Sequence, residues 1–577
     1  MVNVFWTLSE IPKEQRSQID RMQLALIVKE KHLKKYGYQV IYRVLLEDLK
    51  KLEAGIIIDK PVQRLIKCGV LIHAGDNLES HSVGGFSRCF SSLDICRFCH
   101  AQYSDLKDHI HDLDGEDVHD YWTIKDYDAI CDAIEANLER NVEFEEDTIA
   151  IQNLEHHLFD EYDEPRSGEE EGSSEDAFDV SDEESDVGEE EESDVGEDED
   201  MEVGQTYGLR ERCPFNILQS FHAVYGFPPD LLHDVHEGVV AQDLCGCIKI
   251  LSSRGFFTIE EYNHSLQNHP FKSYEMNDRP QPIIKPKAMK LSGKAVSIWL
   301  HIRSFGMIIQ KFGISADDEV LSLCLDLSEI TERLSASEFR QHEIDLCEDK
   351  IVQYLEKRKK VFSDYPSLLG SAKPKHHFLV HYPDAIRLFG PPLTYWTGRF
   401  ESKHRVAKGI AEGAKNFKNI TATLCIRQQM RMASTYYAGI LDTASVHLTG
   451  SITKKEDVKD GEGREFMSPG DVLCSKLVFN SQEYKIGDLV VVKATDSDAL
   501  NVGIIQTIVV KSKNVVFVLK IYEAKRNEFK YFVSKAASDG LTFMNPSCLA
   551  DFKPLVKYGT DQKFKFYLHH HISYSYD

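Results

Sequence analysis

One short segment of the chain combines acidic and histidine side chains at helical spacing. It spans residues 228–238 and reads PPDLLHDVHEG. On a helix, His233 and Glu237 lie one turn apart, and so do Asp230 and Asp234. This spacing suits a helix face that binds a metal ion. The alternative is an ordinary first turn whose acids complement the helix dipole.

A further carboxylate, Asp76, follows the apolar run CGVLIH at residues 68–73. If that run is a strand, Asp76 emerges at its end, where carboxylates can hold a hard cation such as Mg²⁺. The alternative is a turn aspartate within the sequence Ala-Gly-Asp-Asn. The pattern leaves both interpretations open.

Cysteine spacing points to a different metal. Cys96-Arg-Phe-Cys99 is a CxxC, which in a reducing compartment suggests half of a zinc site, since no thioredoxin-like context surrounds it. The remaining zinc ligands are not fixed by the spacing, and the candidates are Cys89, His100, His109, His111, His119 and Cys131.

Two later segments mix basic, aromatic and histidine residues. They span residues 373–383 and 396–404. Such interleaving suits contact with a nucleic-acid backbone or its bases, and an ordinary packed junction with solvated charges fits equally well. The candidate nucleic-acid contacts are Lys375, His376, Arg399, Lys403 and His404.

Charge is distributed very unevenly over the 577 residues. The net charge is -27, yet 23 acidic residues and one basic residue lie between Glu161 and Glu202. The rest of the chain is close to neutral, so local basic surfaces for phosphate contact remain possible. The acidic tract has few bulky apolar residues and is predicted to be disordered.

The elements that must position these residues form a mixed α/β pattern. Helical spacing is predicted over 21–35, 38–52, 229–252, 291–312, 317–334 and 337–362. Short β-branched runs follow at 488–492, 503–511, 515–521 and 530–533, which predict a small antiparallel barrel or sandwich. No apolar run approaches the length of a membrane span, and no secretory signal is apparent.

Six ordered blocks of the sequence resemble transposase-derived proteins of the CACTA (En/Spm-like) superfamily in animals. The resemblance covers about residues 5–437, outside the acidic tract. The blocks are FWTLSEIPKEQRS with KHLKKYG, GDNLESHSVGGF with CRFC, PPDLLHDVHEGVV, KLSGKAVSIW, KPKHHFLVHYP, and FGPPLTYWTGRFESKH followed by NFKN.

The resemblance implies an RNase H-like (DDE-type) nuclease core, in which three acids hold two Mg²⁺ or Mn²⁺ ions for cleavage and transfer of DNA strands. The second acid falls on Asp76 and the third on Glu237, with Asp234 as the alternative. A Cys-containing insertion between them holds the CxxC and the acidic tract, and Zn²⁺ would be bound by Cys96, Cys99 and Cys131. Relatives often carry a further histidine where this chain has Tyr127.

The resemblance, the composition and the spacing of apolar residues together divide the chain into domains. The predicted domains are the first part of the core at 1–86, the Cys/His insertion at 87–158, the disordered tract at 159–205, the rest of the core with a helical region at 206–440, a linker at 441–480, and a β domain at 481–577.

One departure from the family bears on activity. In relatives the first catalytic Asp lies on a strand just before the block that begins at Phe5, and here no acid precedes Glu10. We therefore expect a nuclear, DNA-associated protein whose two-metal site is incomplete. The alternatives are an active transposase, in which Glu10 or a longer natural start supplies the missing ligand, and a chromatin scaffold whose acidic tract binds histones.

Overall fold

A computed structural model describes residues 2–11, 18–59, 63–88, 94–106, 120–138, 208–283, 288–415, 418–437, 446–455, 467–496, 498–511 and 514–574. The predicted acidic tract lies outside these residues. So do four of the candidate zinc ligands, Cys89, His109, His111 and His119.

The N-terminal part begins with an antiparallel hairpin. Strand β1 (Val2–Trp6) pairs with β2 (Gln23–Val28), and helix α1 (Glu30–Ala54) follows directly. The helix predicted over 21–35 therefore begins nine residues late, because the apolar run from Gln23 to Val28 pairs with β1 instead. A second hairpin, β3 (Ile56–Ile58) with β4 (Arg64–Ile66), follows α1.

The strand predicted before Asp76 is absent. Residues 67–76 have no regular secondary structure, and Asp76 is the N-cap of helix α2 (Asn77–Gly84). The backbone amides of this stretch donate to two helices and a loop and not to a neighbouring strand. The Cys68 amide donates to the Leu52 carbonyl, the Val70 amide to Ser220 Oγ, and the His73 amide to the Gly226 carbonyl. Apolar composition alone does not make a strand when helices and a loop supply the acceptors.

Most of the remaining chain up to Tyr437 is helical. Residues 124–138 form α3, and the helices that follow are α4 (Ala223–Gly226), a π-helix (Leu231–Val240), α5 (Ala241–Ser253), α6 (Ile259–Gln267), α7 (Ala295–Ile309), α8 (Glu319–Leu334), α9 (Gln341–Asp364), α10 (Pro366–Leu369), α11 (Pro374–Phe378), α12 (Tyr382–Phe389), α13 (Gly398–Ala414) and α14 (Ile420–Tyr437). The helices predicted over 291–312, 317–334 and 337–362 correspond to α7, α8 and α9. The helix predicted over 229–252 is present, but its first part is a π-helix.

The C-terminal part is a predominantly antiparallel β structure, as predicted. The strands are β5 (Val446–Leu448), β6 (Ile452–Lys454), β7 (Val472–Cys474), β8 (Lys476–Phe479), β9 (Gln482–Lys485), β10 (Leu489–Ala494), β11 (Ala499–Lys511), β12 (Asn514–Arg526), β13 (Phe532–Ala537), β14 (Thr542–Met544), β15 (Tyr558–Thr560) and β16 (Lys563–Phe566). Long β11 and β12 pair along their length. The first of these strands lie inside the 441–480 interval that was predicted to be a linker.

This β structure packs directly on the helical body. Phe529 and Tyr531 belong to the same buried apolar cluster as the helices. A side chain at Gly306 would place its Cβ 1.9 Å from the Phe529 carbonyl oxygen, so only glycine permits this contact. Buried ion pairs join Arg526 to Glu332 across the same junction.

The protein is thus mixed α/β, with a helical body, antiparallel sheets and a C-terminal β region. The described strands before residue 440 form two separate two-stranded hairpins. The RNase H-like arrangement implied by the resemblance stays a prediction. Within the described residues, every helix is too short or too polar to cross a bilayer.

Candidate metal centre

The two cysteines of the CxxC lie in a tight loop with few regular elements around it. The Ile95 amide donates to the Ala101 carbonyl at 3.0 Å, and Cys99 forms an isolated β-bridge with Tyr121. The Phe98 amide points at Cys96 Sγ at 3.4 Å. This fold of the loop brings both sulfur atoms to one side, and both cysteines are buried.

Two histidines approach the same point from a distant part of the chain. His377 lies in α11, which begins at Pro374, and His381 ends the short 3-10 turn that follows it. Proline is favoured in the first turn of a helix, where its missing N–H costs nothing. The two histidines are four residues apart, which places their rings on the same side of a helical turn.

The four side chains converge closely enough to share one ion. Their donor atoms all lie within 4.8 Å of one another, and all four residues are buried. Cys99 Sγ is 3.2 Å from His377 Nε2 and 3.5 Å from His381 Nε2, and the two Nε2 atoms are 3.2 Å apart. A tetrahedral zinc ion with bonds of about 2.3 Å to sulfur and about 2.0 Å to nitrogen requires donor separations of roughly 3.3 to 3.8 Å. The residues therefore fit zinc.

The surroundings of the cluster favour the thiolate form of one cysteine. Burial raises the pKa of Cys96, but its hydrogen bond with Cys99 and the nearby His381 and His377 bring it well below the value of a free thiol. The thiolate is the form that binds metal ions. Phe98 lies against the His381 ring with centroids 4.8 Å apart, which shields the cluster from solvent.

Cys131 is not part of the cluster, contrary to the ligand set that the resemblance implied. It is buried in a separate apolar cluster with Tyr127 and Cys213, and burial raises its pKa to about 11. Tyr127 donates to the Gly84 carbonyl at 2.7 Å and so has a structural role of its own. His100 also lies outside the cluster, with its ring against Trp122 at 4.0 Å.

The two histidine ligands were missed by sequence reasoning, which treated their segment as a nucleic-acid contact. The sequence contains a signal that identifies them. A CxxC combined with an H-x3-H is a frequent zinc-ligand pair, and His377 and His381 have that spacing. The 278 residues between Cys99 and His377 hide the pairing, because zinc-finger spacings are normally searched over short distances.

The predicted catalytic acid Asp76 is engaged in capping a helix. Its Oδ1 accepts a hydrogen bond from the Glu79 amide at 2.7 Å, which satisfies a free N–H in the first turn of α2. Glu79 lies close by, and burial together with the Asp76 charge raises the pKa of Glu79 to about 7. Asp76 thus lies in a local acidic pair with a structural function.

Asp234 is fully buried and held by protein donors. One carboxylate oxygen accepts from the Asn77 side-chain amide, and the other accepts from the Asp230 amide at 3.0 Å. Arg97, the residue after Cys96, donates to Asn77 Oδ1 at 2.8 Å. Burial raises the pKa of Asp234, while the Arg97 guanidinium opposes that rise. A protein cation therefore already lies next to this carboxylate.

Asp230 begins the π-helix and anchors it. It accepts hydrogen bonds from the Thr397 amide at 2.9 Å and from the Thr397 hydroxyl at 2.6 Å. Its partner His233 lies between Asp230 at 2.6 Å and Glu401 at 3.2 Å. Although burial lowers the pKa of His233, these two carboxylates raise it to about 11. His233 is thus an imidazolium clamped between two acids.

The acids do not gather as a metal site. Across the described residues, the Cys/His cluster is the one group of three or more His, Cys, Asp or Glu side chains whose donor atoms converge. Glu237 is half-buried on the π-helix and is not part of such a group. The structure therefore gives no support to a Mg²⁺ site at Asp76, Asp234 and Glu237.

Two of the predicted nucleic-acid contacts are buried inside the protein. His376 is 1% exposed and faces Asp243, which also binds Arg358. Lys403 is 4% exposed and donates to the Ile19 carbonyl at 2.8 Å. Intramolecular partners already occupy both side chains, and a role of either residue in binding nucleic acid stays a prediction.

The other three predicted contacts are partly accessible. Lys375 is half-buried beside Gly238 of the π-helix. Its positive charge acts to lower the pKa of Asp234. His404 packs on Phe5 with ring centroids 5.4 Å apart. Burial lowers the pKa of Arg399. Their role in binding nucleic acid stays a prediction.

No model of a known protein family matches the chain. No curated protein is significantly similar to it.

Proposed function

We propose that the chain is a DNA-associated protein derived from a CACTA-type transposase. In this proposal a zinc ion stabilises the fold, and the acids Asp76, Asp234 and Glu237 do not cleave DNA. The observation that carries this proposal is the spatial convergence of the six sequence blocks on which the resemblance rests. Blocks that lie hundreds of residues apart contact one another around the π-helix.

Each contact joins two blocks. The CRFC block and the KPKHHFLVHYP block share the Cys/His cluster. Asn77 of the GDNLESHSVGGF block binds Asp234 of the PPDLLHDVHEGVV block. Thr397 binds Asp230, and Trp299 of the KLSGKAVSIW block stacks on His236 at 5.2 Å.

The first block joins the same assembly through Phe5, which packs on His404 of the last block. Blocks that belong to one functional unit are expected to meet in this way. The convergence therefore supports a common origin of the six blocks in one functional unit.

The zinc ion proposed for this centre has a structural role. Cys96, Cys99, His377 and His381 complete a tetrahedral set and leave no open position, as in structural zinc sites. When bound, zinc supplies binding free energy that links the CxxC loop to α11. The protein's own residues then carry that constraint onward, because Arg97 lies between the two cysteines and donates to Asn77 and to the Pro228 carbonyl.

The acids Asp76, Asp230 and Asp234 are proposed to be structural because each of them is already bound to hydrogen-bond donors of the protein. Asp76 caps α2, Asp230 caps the π-helix, and Asp234 is bound by Asn77 and a backbone amide. Two-metal catalysis needs carboxylates that are free to share ions roughly 4 Å apart. Carboxylates that are already committed to amide donors, with Arg97 beside them, meet that need poorly.

The proposal is tested by two assays on the purified full chain. In the first, supercoiled plasmid is incubated with the protein and Mg²⁺ or Mn²⁺, and we expect no nicking above that of the Asp76→Ala and Glu237→Ala variants. Nicking by the wild type that both substitutions abolish would establish an active nuclease and refute the structural role of the acids.

The second assay measures binding of labelled DNA as a function of salt. We expect affinity that falls steeply with salt concentration, as phosphate contacts require. An absence of DNA binding at low salt would remove the DNA-associated part of the proposal. Nuclear location is a further expectation of the same proposal. Histone binding through the acidic tract, which lies outside the described residues, belongs to the alternative of a chromatin scaffold.

A further inference from the structure

A hairpin of two helices has a charge opposite to that of the whole protein. Helices α13 and α14 and their connection, residues 398–437, contain eight lysines and arginines and two glutamates, whereas the chain as a whole carries -27. We call these residues the basic hairpin. Such a local excess of positive charge on an acidic protein indicates a surface for an anionic partner.

Six of the eight positive side chains of the basic hairpin are exposed, and one of these six, Arg431, pairs with Asp20. Within the described part of the chain, no ion pair involves any of five exposed cations. These five are Arg405, Lys408, Lys415, Lys418 and Arg427. One of the two glutamates, Glu401, is occupied by His233. The cations therefore retain their full charge for an external ligand.

Helix α9 differs from the basic hairpin, because acidic side chains pair with its cations. It contains the basic run 357–360, yet Lys357 pairs with Asp326 and Lys360 pairs with Glu319. In the same helix Lys350 pairs with Glu329 at 2.9 Å. Acidic neighbours thus neutralise these three cations of α9, whereas the five cations of the basic hairpin have no such neighbour among the described residues.

The spacing of the cations suits a nucleic-acid strand. The two helices contain 17 and 18 residues and pack side by side. From Arg405 to the turn the chain rises about 15 Å along α13, at 1.5 Å per residue. One strand of DNA places a phosphate roughly every 3.4 Å along the helix axis. The cations therefore extend along roughly four nucleotides.

Hydrogen bonds and an ion pair also fix the basic hairpin to the rest of the protein. Thr397, immediately before α13, binds Asp230, and Lys403 donates to the Ile19 carbonyl at 2.8 Å. On α14, Arg431 pairs with Asp20 at 3.0 Å. These anchors hold the hairpin against the β1–β2 hairpin and the π-helix, so the backbone that carries the exposed cations needs little further ordering on binding.

We propose that the basic hairpin binds the phosphodiester backbone of nucleic acid through Arg405, Lys408, Lys415, Lys418 and Arg427. The inference rests on the DNA association proposed above and names the surface responsible for it. The chemistry recognised is a row of phosphates without base-specific contacts, which either duplex or single-stranded nucleic acid supplies. An acidic protein partner is a different ligand, and the test below separates it.

The test compares two triple variants of the full chain that change the net charge equally. The first is Arg405→Glu, Lys408→Glu and Arg427→Glu. The matched control is Lys454→Glu, Lys520→Glu and Lys563→Glu, whose three lysines are exposed on the C-terminal strands. Fluorescence anisotropy with a random-sequence 20-mer, as a duplex and as a single strand, is measured from 50 to 300 mM NaCl. Thermal unfolding and zinc content check that each variant is folded.

We expect the hairpin variant to bind at least tenfold more weakly at 100 mM NaCl and to lower the slope of log K against log salt by about three, one for each phosphate contact removed. The control variant should keep both within about twofold of the wild type. The probe with the larger effect identifies the preferred source of the phosphates.

Equal weakening in both variants would mean that net charge alone matters, and it would overturn the inference while leaving DNA association in place. Unchanged binding by the hairpin variant would overturn it in the same way. No binding of either probe by the wild type at 50 mM NaCl would refute the DNA association itself, and an acidic protein would then be the ligand class to test at this surface.

Discussion

Two neighbouring polar centres of this protein use ligand-type residues in opposite ways. In the Cys/His cluster, four donor atoms face one another within 4.8 Å. In the acid centre, Asp76, Asp230 and Asp234 each face hydrogen-bond donors of the protein. The comparison shows that residue type does not define a metal site. What matters is whether the donors point at a common position or are already satisfied.

Arg97 connects the two centres. It lies between the two cysteines of the CxxC, stacks over Phe98 at 4.4 Å, and donates to Asn77, which binds Asp234. The acid centre thus has an internal cation where a metal-dependent enzyme would hold an ion. The loop that supplies this cation is the loop that the proposed zinc ion would hold in place.

The largest effect should come from the cluster itself. Replacing Cys96 and Cys99 together by serine should abolish zinc binding and lower the free energy of unfolding by about 4 kcal/mol or more, because loss of a metal site is among the most destabilising changes. Elemental analysis and chemical denaturation measure both. The control Cys131→Ser should keep one zinc per chain, and loss of zinc in that variant would return Cys131 to the ligand set.

The next largest effect concerns Arg97, which connects the Cys/His cluster to the acid centre. Arg97→Met should cost about 3 kcal/mol, since it leaves Asn77 and the carbonyls of Phe227 and Pro228 buried without their donor. Zinc content should stay at one per chain. Denaturation with parallel metal analysis decides the matter, and a variant that also loses zinc would mean that the two centres form a single unit.

A smaller difference should appear between two acids of the π-helix. Asp234→Asn should cost about 2 kcal/mol, because the new side-chain amide meets the donors of Asn77 and Asp230. Glu237→Gln should change the free energy of unfolding by no more than about 0.5 kcal/mol, since Glu237 is half-buried. Addition of 10 mM Mg²⁺ should stabilise neither the wild type nor the variants. Magnesium-dependent stabilisation that Glu237→Gln removes would instead support a metal-binding acid centre.

The last prediction is that the free energy of unfolding depends on pH through the ionisation of His233. Its pKa of about 11 in the folded protein exceeds the ordinary value of 6.5, so the charged form stabilises the fold below pH 6.5 and this contribution is lost as the pH rises toward 11. Unfolding of the wild type and of His233→Gln, measured at several pH values, should differ most near pH 6 and converge as the pH rises toward 11. A difference that grows with pH would contradict the clamp between Asp230 and Glu401.

Local features of the fold were predictable from the sequence, and long-range ones were not. Apolar spacing located α7, α8 and α9, and β-branched runs located β10 to β13, because both signals are contained within one element. The prediction of a strand before Asp76 was wrong, since the acceptor for the Val70 amide is Ser220, which lies 150 residues away. The π-helix was also not foreseen, because apolar spacing does not distinguish it from an α-helix.

The candidate site shows the same limit. The CxxC belongs to a cluster that could hold a metal ion, but the second half of this cluster lies 278 residues from Cys99. His376 and Lys403 were assigned to nucleic acid from their residue types, whereas their intramolecular partners Asp243 and Ile19 are distant in sequence. A sequence pattern identifies side chains that are able to bind a ligand. Only the fold reveals whether another residue of the protein already binds them.

The central claim is that this protein binds its metal through two sulfur and two nitrogen atoms and not through its carboxylates. X-ray absorption spectroscopy of the zinc-loaded full chain tests it most directly. We predict one zinc per chain with two sulfur ligands at about 2.3 Å and two nitrogen ligands at about 2.0 Å, and one fewer nitrogen ligand in His377→Ala. A first shell of oxygen atoms, or three sulfur ligands with His377→Ala unchanged, would contradict the account.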